Sequence, residues 1–83
     1  MRTRTGKYKE YEKRILRFLI KQNDLSSASQ IRRNTNIPKS SFYDVLRKLN
    51  YYGYIEWIGE PQDWISEVEI TKKGIVYLEH LLK

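Results

Sequence analysis

Ile37-Pro38-Lys39-Ser40-Ser41-Phe42-Tyr43-Asp44-Val45-Leu46-Arg47-Lys48-Leu49 is the stretch on which the fold turns. Phe42, Val45, Leu46 and Leu49 recur at i, i+3, i+4 and i+7, which gathers apolar side chains on one face of an α-helix. Ser40, Tyr43, Asp44, Arg47 and Tyr51 fall on the opposite face. Pro38 is tolerated near the start because the earliest helical N–H groups have no intrahelical acceptor. Gly53 is the expected left-handed residue just past the end. The spacing predicts a helix from about Lys39 to Tyr52, one face turned to a core and the other to a partner.

Toward the N-terminus, Asn34-Thr35-Asn36 reads as a polar turn, and Ser27-Ala28-Ser29-Gln30 has the spacing of a capping box. A short helix from Ala28 to about Asn34 is expected between them. Asn23-Asp24 breaks an earlier pattern in which Tyr8, Tyr11, Ile15, Phe18 and Leu19 recur at helical spacing, predicting a first helix from Tyr8 to about Gln22. Leu16 and Ile20 widen its apolar arc beyond a single stripe. Residues 1–7 carry Arg2, Arg4 and Lys7 and read as a flexible basic arm.

Toward the C-terminus, Tyr54 to Ile58 and Trp64 to Ile70 are β-branched and aromatic runs joined by Gly59-Glu60-Pro61-Gln62-Asp63, the pattern of an antiparallel hairpin. Period-two alternation puts Ile55, Trp57, Val68 and Ile70 on one face and Glu67 and Glu69 on the other. Thr71 caps a last helix, Lys72 to Leu82, whose apolar residues cover most of its circumference. One domain over residues 1–83 is expected, α+β but mainly α: three helices, a two-stranded wing and a C-terminal helix.

The composition narrows what such a domain does. The 83 residues leave room for one modest core, and the absence of cysteine removes disulfides and thiolate metal sites. Sixteen Lys and Arg against ten Asp and Glu give +6, pointing to a polyanionic partner. The charge is uneven: residues 1–50 carry +9 and residues 51–83 carry −3. The basic start lacks the apolar run of a secretory signal, and no apolar run approaches the roughly 20 residues of a membrane span. A cytoplasmic protein is expected, without a membrane role.

The order of elements resembles the winged helix-turn-helix domain of bacterial and archaeal transcription regulators. Ser29-Gln30-Ile31, then Ile37 to Leu49, then Tyr52-Gly53-Tyr54-Ile55 is similar to the pattern of MarR-like and IclR-like regulators, and Thr71-Lys72-Lys73-Gly74 is similar to the Thr-x-x-Gly that follows their wing. The abundance of Lys, Ile and Tyr without Cys resembles small regulators of archaea and their viruses, which would act at the nucleoid or in a host cytoplasm. The resemblance implies a transcriptional regulator that binds double-stranded DNA sequence-specifically through its third helix.

The chemistry of the residues fits that implication. An α-helix enters the roughly 12 Å wide major groove and brings short hydroxyls and long cations to base edges. Lys39, Ser40, Ser41, Tyr43 and Arg47 suit that place, with Lys48 flanking them toward the backbone. Arg32 and Arg33 read as phosphate clamps or as ordinary surface, and Arg2 and Arg4 as groove or backbone contacts of the arm. Ser40 and Ser41 serve base contact or the helix start, and Tyr43 reads as a DNA contact or as packing across the surface. Asp44 requires pairing with Arg47 or Lys48, or a cytosine amino group.

The wing runs against a simple reading. Glu56, Glu60, Asp63, Glu67 and Glu69 leave it without a basic residue, so it is structural or meets a protein through its acidic face and Trp64. A protein-interaction module acting through that wing, or RNA binding, is the competing function. The lone His80 assembles neither a nucleophile–base pair nor a metal site, so no enzyme, cofactor, metal or small-molecule ligand is expected. A homodimer through the first and last helices is expected, because their apolar surface exceeds what one small core covers.

Overall fold

The computed structural model describes residues 2–22, 25–59 and 66–83, and of residues 2–7 the backbone alone. The order is α1 (Arg2–Gln22), β1 (Ser26–Ser27), α2 (Ala28–Thr35), α3 (Lys39–Tyr51), β2 (Ile55–Ile58), β3 (Glu67–Ile70) and α4 (Lys72–Leu81). The expected winged-helix architecture is present, with two additions. The backbone of the expected arm continues α1 from Arg2. Ser26 and Ser27 form a third strand, so the sheet order is β1-β3-β2, not a lone hairpin. Both partnerships are antiparallel, with Ser26 opposite Val68 and Trp57 opposite Val68 on the other side.

Local chemistry sets the boundaries. Ser27 Oγ accepts from the Gln30 N–H at 3.2 Å, starting α2. Asn36 ends it in the left-handed region at φ 56°, its N–H bonding to the Arg32 carbonyl. α3 follows Pro38 with no side-chain cap, and Gly53 at φ +81° turns the chain out of it. Thr71 Oγ1 accepts from the Gly74 N–H at 3.0 Å and donates to the Gly53 carbonyl at 2.7 Å, tying the start of α4 to the end of α3. The glycine of Thr-x-x-Gly has a steric reason: a β-carbon on Gly74 would lie 2.0 Å from the Tyr54 carbonyl oxygen.

The core joins all these elements. Ile15, Leu16 and Leu19 of α1 meet Ile31, Ile37, Phe42, Val45, Leu46 and Leu49, with Ile55, Val68 and Leu78 closing it. The four α3 residues chosen by spacing are all buried, and the strand alternation places Val68 inside and Glu67 and Glu69 outside. Leu16, read as surplus to the core stripe, is fully buried, so the inner arc of α1 is broader than a single row. Glu12 is also fully buried. Residues 60–65, which hold most of the expected turn and Trp64, lie outside the described residues.

Candidate nucleic-acid interface

Burying Phe42, Val45, Leu46 and Leu49 forces the other side of α3 outward. Ser40 and Arg47 are exposed there, Lys39 is exposed at the helix start and Ser41 is half-buried. Pro38, at the N-cap of α3, makes no side-chain hydrogen bond to the first turn, and this is the helix end that favours negative charge. Asp44 pairs with Arg47, Oδ1 to Nη1 at 3.3 Å, so its charge is met by the first of the partners its sequence position offered. Both side chains are more than half exposed, so the pair is weak and opens readily to a competing anion.

Two of the expected contact residues on α3 have other engagements. Tyr43 is half-buried, with its ring stacked on Trp57 at 6.2 Å and 12° and edge-on to Phe42 at 5.7 Å. It packs across the surface, joining α3 to the wing. Lys48 turns back toward α1, its Nζ 3.0 Å from Glu12 Oε2. Of the cations on α2, Arg33 is exposed, whereas the half-buried Arg32 donates through Nε to the Ile37 carbonyl at 3.2 Å and braces the turn into α3. The side chains of Arg2 and Arg4 lie outside the described residues.

Glu12 is the residue sequence reading missed. Its carboxylate accepts from Tyr77 Oη at 2.5 Å and faces Lys48, so one buried charge gathers α1, α3 and α4. Burial, then the hydrogen bond to Glu12 and its negative charge, hold the Tyr77 phenol well above its ordinary range, so it remains a donor. Tyr77 in turn stacks on Tyr54 at 4.1 Å, and Tyr54 on Tyr52 at 6.0 Å. The signal was available in the helical wheel, since Glu12 lies between Leu19 and Leu16, both apolar.

The described wing carries Glu56, Glu67 and Glu69 on its exposed face, with Glu56 directly opposite Glu69. Between α1 and α4 runs an open groove of about 520 Å³ whose lining includes Phe18, Ile20, Ile75, Leu78 and Leu82. Among the described residues, no group of His, Cys, Asp or Glu is arranged to hold a metal ion and no helix is long and apolar enough to cross a membrane.

Residues 8–71 match the family model described as sugar-specific transcriptional regulator TrmB. A crystal structure described as transcriptional regulator PA4135 superposes with a TM-score of 0.69 at 25% identity, over 88% of this chain. The chain spans 56% of the length of that protein. No curated protein matches the sequence.

Proposed function

The chain belongs to the TrmB family of transcriptional regulators, and from that premise we propose that it binds double-stranded DNA sequence-specifically, with α3 in the major groove. One observation carries the reading: the face of α3 opposite its buried row presents Ser40 and Arg47 to solvent, beside the exposed Lys39 at a helix start where Pro38 makes no side-chain cap. Arg47 reaches a guanine edge or a phosphate, Lys39, Ser40 and Ser41 meet bases or backbone, and Arg33 clamps a phosphate. Tyr43 and Arg32 support the helix, and Arg2 and Arg4 follow the backbone. The site of action is the DNA-containing cytoplasm of the cell or, for a viral chain, of its host.

Pairing of two copies through α1 and α4 completes the reading. Ile20, Ile75, Val76 and Leu82 are exposed, and the groove between the helices is apolar over much of its lining. A two-fold pair sets two recognition helices about 34 Å apart, one turn of DNA. Matched duplexes of DNA and RNA test groove insertion, because the A-form major groove does not admit a helix. Binding to DNA alone is expected, and equal affinity for both contradicts it.

A second reading rests on the facing pair Glu56 and Glu69. Like charges directly opposite on paired strands cost stability, and a basic protein surface would relieve them. Under that reading, substitutions on the wing abolish function, while Lys39→Ala with Arg47→Ala leaves it intact.

A further inference from the structure

We infer that Glu12 is a positioning residue that holds Lys48 away from the DNA backbone and so limits the number of phosphates the recognition helix neutralises. The inference rests on the DNA-binding reading above and deepens it.

Lys48 follows Arg47 directly and lies about 100° further round α3, on the flank of its outward face. A long cation in that position is placed to reach a phosphate beside the groove. Its side chain is 47% exposed, so the stem already stands half in solvent. The ammonium nevertheless ends 3.0 Å from Glu12 Oε2. Among the described residues that oxygen has no hydrogen-bond partner, since Tyr77 takes Oε1, and its ion pair with Lys48 is what meets its charge.

The competition between the two anions favours Glu12. Its carboxylate is fully buried, where water screens poorly, whereas a DNA phosphate is solvated and surrounded by counterions. Moving Lys48 to a phosphate would leave a buried charge supported by one phenol alone, a costly arrangement. Lys48 therefore stays on α1 when DNA arrives, and Arg47, whose partner Asp44 is exposed, is the cation that moves. Removing the charge of Glu12 frees Lys48 to add one non-specific phosphate contact.

The test compares wild type, Glu12→Gln, Lys48→Ala and the double variant, each checked for folding by circular dichroism. The affinity for a DNA duplex is followed against salt, where each phosphate contact contributes a slope of about 0.9 in log K against log salt. Glu12→Gln is expected to steepen the slope by about 0.9, Lys48→Ala alone to leave it unchanged, and the double variant to restore the wild-type value. Acylation of Lys48 in DNA-free protein, read by mass spectrometry, is expected to run several-fold faster in Glu12→Gln. A flatter slope in Lys48→Ala overturns the inference, because Lys48 would then already touch phosphate. An unchanged slope or an unchanged acylation rate in Glu12→Gln overturns it too. If Glu12→Gln does not fold, Lys48→Ala still decides. Absence of DNA binding by the wild type removes the DNA reading and the inference together, whereas binding with the wrong slopes removes the inference alone.

Discussion

The rings of Tyr43 and Trp57 stack 6.2 Å apart at 12°, so α3 and the wing are fastened to each other by an aromatic contact on the surface of the domain. Tyr43 thereby sets the angle of α3 against the sheet, and Trp57 is held from behind by its Nε1 bond to Ser66 Oγ at 2.8 Å. Tyr43→Phe keeps the stack and is expected to change DNA affinity by less than about twofold. Tyr43→Ala is expected to lower unfolding stability by about 1 to 2 kcal/mol, measured by urea denaturation.

Gly74→Ala places a methyl group against the Tyr54 carbonyl at the junction of α3, β2 and α4. Backbone cannot yield as a side-chain tip does, so a loss of about 3 kcal/mol is expected in the same denaturation measurement. A loss below about 0.5 kcal/mol would mean that α4 moves away at little cost.

Thr71→Ala removes the acceptor for the Gly74 N–H and the donor to the Gly53 carbonyl. A cost of about 1 to 2 kcal/mol is expected, and Thr71→Ser, which keeps the hydroxyl, should recover most of it.

Tyr77 gives a pH dependence with a definite sign. Its folded pKa is raised by burial and by Glu12, above an unfolded value near 10. The folded state holds the phenolic proton more tightly, so the contribution is complete below about pH 10 and is lost as pH rises beyond it. Wild type is expected to lose more stability between about pH 9 and 11 than Tyr77→Phe does. Equal losses would show that the phenol is not protected by the fold.

The helix-turn-helix was legible because its evidence is local: Ser27 caps α2, Gly53 ends α3, and the i, i+3, i+4, i+7 row marks what is buried. β1 was not, since Ser26 and Ser27 have no strand preference of their own. They become a strand only because β3, some forty residues later, offers its open edge. Leu16 illustrates a related limit: the sequence marks it as apolar, but only the packing of α2 and α3 around α1 decides that it lies in the core. The outward row of α3 was read correctly as a face, yet the engagements of Tyr43 with Trp57 and of Lys48 with Glu12 depend on partners far along the chain. For the same reason Glu12, one charge among many on a basic helix, gave no local sign of burial beyond its place on the wheel.

Fluorescence anisotropy of a labelled DNA duplex, titrated at about 50 and 200 mM salt with wild type and with the Lys39→Ala, Arg47→Ala pair, tests the central claim most directly. Wild-type affinity is expected to fall by orders of magnitude between the two salts, and the double variant to bind far more weakly at both. Wild type that fails to bind at either salt, or a double variant that binds as well as wild type, would contradict a recognition role for α3.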